Sequence, residues 1–242
     1  MQKKKSLGQH FLRNPYYLGL VADAAEIKKG ETVLEIGPGE GTLTHALLER
    51  GANVIAIEKD ARLIPFLREK FKGKNLEIIE GDALAYEPTS KKYKVVGNIP
   101  YYISGALFKK FLEAKRQPSS LVFLVQKEVA ERIAREKKES ILSLSVKAYG
   151  EPVYVATVPR GVFSPPPKVD SAILAVRRLS RHNFRNAAHE KKFFELVKKG
   201  FSSKRKLLKN NLGDIGPLGE ERAEDVPLGE WLALAANRAR GR

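Results

Sequence analysis

The residues with the clearest chemical potential in this chain stand where short apolar runs end. Val33, Leu34 and Ile36 lead into Gly37-Pro38-Gly39-Glu40-Gly41, and a helical pattern begins at Thr42. A buried strand feeding a glycine turn and then a helix N-terminus is the usual opening of a nucleotide-binding half of an α/β domain. The spacing is G-x-G-x-G followed by Thr42, so the dinucleotide pattern G-x-G-x-x-G fails at its last position. The glycines still let a ligand approach the backbone closely. Glu35, just before them, is placed to orient a cationic amino-acid group through the loop. Glu58 ends the next apolar run, about 20 residues on, where a carboxylate accepts both ribose hydroxyls.

Asp82, in Gly81-Asp82-Ala83-Leu84, ends the third run. A carboxylate there either hydrogen-bonds an adenine exocyclic amine or caps the turn that follows. Three acids at consecutive strand ends, without a P-loop lysine, describe a site for a nucleoside of little negative charge. S-adenosylmethionine fits such a site better than ATP.

The fourth run ends in Asn98-Ile99-Pro100-Tyr101. An exocyclic aromatic amine is a poor nucleophile because its lone pair is delocalised into the ring. An Asn side-chain oxygen and a nearby backbone carbonyl, accepting both N–H groups, favour a pyramidal nitrogen and expose the lone pair to a sulfonium methyl. Pro100 fixes the turn, and Tyr101 offers a face on which a flipped base stacks. No strong general base is required, since the methylated cationic amine readily loses its proton. Phe163, in Phe163-Ser164-Pro165-Pro166-Pro167, has two readings of equal weight: a second stacking wall opposite Tyr101, or a core residue of a stiff connection.

The elements that position these residues follow from the pattern of apolar runs. Asn14-Pro15 reads as a helix cap and first turn, with Leu18, Val21, Ala22 and Ala25 on one helical face and the preceding segment free to lie over the glycine cradle. Beyond the cradle, strand-like runs at 53–57, 76–79, 94–98 and 121–125 alternate with helical stretches, which implies parallel pairing and right-handed crossovers. Two further runs, 153–158 and 171–176, are joined without room for a helix and close the sheet as a hairpin. The expectation is a Rossmann-like α/β domain of seven strands over 1–178, followed by a small helical domain over 179–242.

The formal charge of +16 over 242 residues points to a polyanionic partner. From Arg177 to Lys209 there are 12 Lys or Arg against Glu190 and Glu195, so this segment is the expected phosphate-binding surface. Cysteine is absent, which excludes disulfides, thiolate nucleophiles and cysteine zinc sites. No metal site is expected. No apolar run approaches the roughly 20 residues of a membrane span, and the N-terminus lacks a signal-peptide core, so a cytoplasmic protein without a membrane partner is expected. A monomer is the default.

Taken together, the motifs resemble the small-subunit ribosomal RNA adenine N6,N6-dimethyltransferases over almost the whole chain. The resemblance rests on GQHFL at 8–12, EIGPGEGTLT at 35–44, GDAL at 81–84, NIPYYIS at 98–104, QKEVAERI at 126–133 and FSPPPKVDSA at 163–172. FSSKRKLLKNNL at 201–212 and RAE at 222–224 extend it into the tail. It implies an enzyme transferring four methyl groups from S-adenosyl-L-methionine to two adjacent adenosines near the 3′ end of the small-subunit RNA. It also implies that His10 and Leu12 close over the cofactor, that Gly37, Glu58, Asp82 and Asn98 contact it, that Asn98 and Tyr101 form the catalytic turn, and that Phe163 helps hold the base. One departure is SILSLSV at 140–146, which ends in the family's Leu-Ser-Val without the Tyr-Gly expected before it. The competing readings are a large-subunit RNA adenine N6-methyltransferase, which shares the cradle and the NIPY turn, and a non-catalytic RNA-binding assembly factor.

Overall fold

The apolar runs fold as strands β1 (Phe11–Leu12), β2 (Thr32–Ile36), β3 (Asn53–Glu58), β4 (Leu76–Glu80), β5 (Lys94–Asn98), β6 (Leu121–Gln126), β7 (Glu151–Val158), β8 (Phe163–Ser164) and β9 (Ser171–Arg177). This is a computed structural model, and it describes residues 10–203 and 205–240. The basic leader Lys3–Lys5, the first two residues of GQHFL and Lys204 lie outside the described residues.

Seven strands form one sheet in the order β4-β3-β2-β5-β6-β9-β7, and β1 and β8 form a separate two-stranded pair. Pairing is parallel from β4 through β6 and antiparallel between β6 and β9. Residues 121–125 of β6 and 172–176 of β9 are completely buried, as a strand covered on both faces must be, and for that reason they read as continuous apolar runs rather than alternating ones. The connection between β7 and β9 carries the short strand β8, which the sequence pattern did not reveal.

The helices that serve the site are α1 (Pro15–Ala24), α2 (Thr42–Glu49), α3 (Ile64–Lys70) and α4 (Ser104–Glu113). Asn14 caps α1 through its side chain, which accepts from the Tyr16 N–H, with Pro15 in the first turn. The segments carried in the sequence only as motifs are also helical, α5 (Lys127–Ala134) and α6 (Ile141–Tyr149).

The chain divides into two compact units. One comprises the residues up to Ala130 with Val153–Leu179; the other comprises Glu131–Pro152 with the residues from Ser180. The segment 131–152 thus clusters with the C-terminal helices, although a linear reading groups it with the sheet. The second unit holds α6, α7 (Ala187–Gly200), α8 (Leu208–Leu212) and α9 (Leu228–Arg240). Its centre is Trp231, Tyr149 and Phe193, all fully buried, with Phe184, Phe193 and Phe194 meeting edge to face or tilted. His189 donates through Nε2 to the Leu232 carbonyl at 2.9 Å and accepts the Arg185 N–H at Nδ1. The departure at 140–146 builds a capping box: Ser140 accepts from the Ser143 N–H while the Ser143 hydroxyl accepts from the Ser140 N–H.

Candidate active site

The site is built on the C-terminal edge of the sheet where β2 and β5 lie side by side. Ile36 pairs with both Ile57 and Gly97, so Gly37, Glu58 and Asn98 each stand one residue past aligned strand positions. The chain runs outward from β2 to β4 and returns to β5 on the other side of β2. The loops after β2 and β5 therefore diverge and leave a crevice, the place where open parallel sheets bind ligands. A cavity of about 270 Å³ opens there, and His10, Leu12, Gly37, Glu58, Asp82, Asn98 and Tyr101 all line it.

The glycine turn needs its glycines for conformation and for space. Gly37, Gly39 and Gly41 have φ of 67°, 56° and 74°, a region costly for residues with a Cβ. A Cβ on Gly39 would lie 2.8 Å from Cε1 of Phe11, and one on Gly41 would lie 2.5 Å from Cε2 of Phe71. Gly97 is equally constrained, since a Cβ there would stand 3.0 Å from the Ile36 carbonyl.

Glu58 locks the turn to β3. Its Oε2 accepts the Gly39 N–H at 3.0 Å and its Oε1 accepts the Asp60 N–H at 2.8 Å. Burial pushes its pKa up, and the amides of Asp60 and Gly39 oppose the shift. Each oxygen retains a lone pair for a hydroxyl donor. Asp82 caps the turn after β4, as one of its two readings has it. Its Oδ1 accepts the Leu84 N–H at 2.9 Å, as a turn cap does, while Oδ2 meets Lys59 Nζ at 2.7 Å at the cavity wall. The Lys59 hydrogen bond holds the Asp82 carboxyl below its ordinary pKa.

The segment before α1 lies over the cradle as a strap. The Leu12 carbonyl accepts from Thr42 Oγ1 at 2.9 Å. His10 Nδ1 lies 2.8 Å from the Pro165 carbonyl, and because a carbonyl only accepts, Nδ1 carries the proton. The His10 carbonyl accepts Nδ2 of Asn98 at 2.8 Å, which leaves Asn98 Oδ1 as the acceptor. Tyr101 stacks on the His10 ring with centroids 6.1 Å apart, and its hydroxyl lies 2.5 Å from Ser171 Oγ. Burial raises the Tyr101 pKa, so the phenol is neutral.

Two expectations require correction. Phe163 does not line the cavity: it is 4 % exposed and belongs to the hydrophobic core. The reason is strand register, since β8 pairs with β1 and sets Phe163 opposite Leu12, so Phe163 supports the strap from behind. Glu35 does not reach through the loop either. It is fully buried, and its Oε2 accepts from Thr44 Oγ1 at 2.7 Å, tying β2 to the first turn of α2. Desolvation pushes its pKa up to about 8.

The sequence reading passed over Thr42, Lys59, Tyr102 and Ser171. Lys59 and Tyr102 directly follow Glu58 and Tyr101 and line the same cavity, so adjacency to motif residues was the available signal. Among the described residues, no cluster of three or more His, Asp or Glu side chains is arranged to hold a metal ion.

The residues fit an adenosine carrying a cationic tail. Glu58 offers hydroxyl acceptors, Asp82 an amine acceptor, and the glycine backbone a surface without side chains. Such a donor set favours a neutral or cationic ligand over a polyphosphate.

Comparison with known proteins agrees with this geometry. A family model described as ribosomal RNA adenine dimethylase matches residues 1–226. A Dehalococcoides mccartyi protein named ribosomal RNA small subunit methyltransferase A is 44% identical over 261 aligned positions, covering 99% of this chain and 89% of that protein. A Fusobacterium nucleatum protein of the same name is 40% identical, covering 96% of each. Among solved structures, the 23S rRNA methyltransferase ErmE is similar with a TM-score of 0.80 and 32% identity, covering 93% of this chain and 98% of that one. A dimethyladenosine transferase from Plasmodium falciparum has a TM-score of 0.80 and 29% identity, covering 95% and 98%. The match across nearly the whole chain, on a fold that brings the glycine turn and the Asn98–Tyr101 turn to one cavity, makes this protein a member of the ribosomal RNA adenine dimethylase family.

Proposed function

We propose that this protein transfers methyl groups from S-adenosyl-L-methionine to N6 of two adjacent adenosines near the 3′ end of small-subunit ribosomal RNA, dimethylating each. The observation that carries this reading is the meeting, in one cavity, of a nucleoside cradle with an Asn-Ile-Pro-Tyr turn whose Asn is fixed as an acceptor.

Glu58, Asp82 and the backbone at Gly37 hold the nucleoside, and His10 and Leu12 cover it. When bound, S-adenosylmethionine supplies an electrophilic methyl group on a sulfonium. Asn98 Oδ1 accepts one N–H of the target amine, and a backbone carbonyl of the turn accepts the other. Held this way, the nitrogen presents its lone pair rather than conjugating it with the ring. Tyr101, pinned by Ser171 and His10, gives the extruded base a stacking face. The proton of the methylated amine leaves to solvent, so the site requires no buried base.

The partner is the small-subunit RNA or the assembling small subunit, and the protein acts in the cytoplasm as a monomer. No helix among the described residues is long and apolar enough to cross a membrane. The large-subunit reading shares this fold, as the likeness to a 23S rRNA methyltransferase illustrates. The small-subunit reading is supported by the names of the sequence relatives at 38–44% identity and by the FSSKRKLLKNNL tail. Mapping dimethyladenosine in small-subunit RNA from cells with and without this protein tests it. The two dimethylated adenosines are expected to disappear with the protein. Labelling of large-subunit RNA instead, or no binding of S-adenosylmethionine by calorimetry, would overturn it.

A further inference from the structure

Tyr102 is 70 % exposed and nevertheless lines the cavity. Among the described residues its ring stacks on no other aromatic, in contrast to Tyr101, which is stacked on His10. Exposed Tyr16 differs on both counts: it packs edge-on against Tyr17 and stands away from the cavity wall. The backbone explains the division of labour. Residues Tyr101–Ile103 form a 3₁₀ turn, in which successive side chains are rotated by about 120°. When Tyr101 is held against His10 and Ser171, Tyr102 must point to a different quarter, toward the mouth. Leu84, itself 37 % exposed, lines the same cavity, as does Lys59, whose ammonium is paired with Asp82 at 2.7 Å, so an exposed aromatic face and an aliphatic group stand beside that ion pair. An exposed aromatic face is the surface on which proteins stack single-stranded bases.

We infer that Tyr102 is the stacking platform for the base next to the target adenosine, holding the neighbouring nucleotide at the mouth while its partner occupies the cavity. This inference rests on the reading that two adjacent adenosines are the substrate. A platform of this kind keeps the RNA strand on the enzyme while one adenosine replaces the other, so Tyr102 bears on completion of the modification and not on the chemical step. It is a positioning residue, with the base ring as its ligand. The phenol hydroxyl has no part in this role, because stacking uses the ring face.

The test compares wild type, Tyr102→Ala and Tyr102→Phe on small subunits isolated from cells lacking the modification. Methyl groups at each adenosine are counted by mass spectrometry, cofactor affinity is measured by calorimetry, and folding by thermal melting. Base stacking on an aromatic side chain corresponds to roughly 5- to 150-fold in affinity. Tyr102→Ala is therefore expected to raise KM for the subunit about ten-fold or more and to accumulate subunits modified at one adenosine or singly methylated. Tyr102→Phe is expected to match wild type, and all three are expected to share cofactor affinity and melting temperature. Unchanged KM and product distribution in Tyr102→Ala would overturn the inference. So would a Tyr102→Phe variant as impaired as Tyr102→Ala, or a defect accompanied by loss of cofactor affinity. A wild-type protein that methylates neither adenosine would overturn the functional reading itself, and this inference with it.

Discussion

Asn98 at the end of β5 and His10 on the strap, 88 residues apart in the chain, are joined by one hydrogen bond from the Asn98 side-chain nitrogen to the His10 carbonyl at 2.8 Å. The bond determines which end of the Asn98 amide is left as an acceptor at the cavity. It also ties the strap to the Asn98–Tyr101 turn, so that in the proposed reaction covering the cofactor and orienting the acceptor oxygen would be one structural event.

Asn98→Ala removes that acceptor. Methylation of small-subunit particles is expected to fall by about 100-fold or more, in line with the loss of a single preorganised hydrogen-bonding group elsewhere. Melting temperature should largely survive, while cofactor affinity is expected to weaken, because the bond that ties the His10 strap to the turn is lost with the side chain. Asn98→Asp should fail similarly at neutral pH, because a carboxylate cannot donate to the His10 carbonyl. Mass-spectrometric counting of methyl groups decides the outcome, and full activity in Asn98→Ala would remove Asn98 from the mechanism.

Glu35 sets a pH dependence of stability. Its folded pKa, pushed up to about 8 by burial, lies above the ordinary carboxyl value of about 4.3 in an unfolded chain. Between these values the folded state binds more protons than the unfolded state, so stability from this group is complete at acid pH and declines as pH rises toward 8. Glu35→Gln, a neutral isostere that keeps an oxygen for Thr44, should flatten that decline. Urea melts of both proteins at pH 6 and pH 9 are expected to show the wild type losing more stability, by an amount of the order of a few kcal/mol. Parallel curves would indicate that Glu35 is ionised in the fold.

Gly39→Ala places a Cβ in a left-handed backbone position and 2.8 Å from Phe11 of the strap. The backbone cost alone is about 1–2 kcal/mol, and displacement of Phe11 loosens the cover over the cavity. Weaker cofactor affinity by calorimetry, together with a lower melting temperature, is the expected result.

Gly200 ends α7 directly beneath Trp231 of α9, and a methyl group there would collide with the indole. Gly200→Ala is expected to destabilise the C-terminal unit by roughly 1–3 kcal/mol, the usual cost of overpacking a core. Hydrogen exchange should show the loss confined to α7–α9, with the cofactor site unaffected.

Lys198 and Lys199 lie exposed in the last turn of α7. Reversing both charges should weaken RNA binding and make the dependence of log affinity on log salt shallower by about 1 for each phosphate that is no longer neutralised. Filter binding across a salt series measures the slope. An unchanged slope would move the phosphate surface elsewhere.

Much of this protein is determined by local sequence. The seven runs that form the main sheet, the Asn14-Pro15 start of α1, the glycine turn and the positions of Glu58 and Asn98 at strand ends and of Asp82 just past β4 all follow from periodicity and residue type, because strand propensity, capping and positive φ are short-range properties. Tertiary structure decided what those residues touch. Phe163 had two equal readings until pairing of β8 with β1 set it opposite Leu12 in the core. Glu35 looked aimed at a ligand until its hydrogen bond with Thr44 showed it to be a buried anchor. Residues 131–152 joined the C-terminal helices because their apolar faces find partners there rather than on the sheet beside them in sequence. The physical reason is common to all three: side-chain direction and burial depend on packing between segments far apart in the chain, and no local pattern encodes that packing.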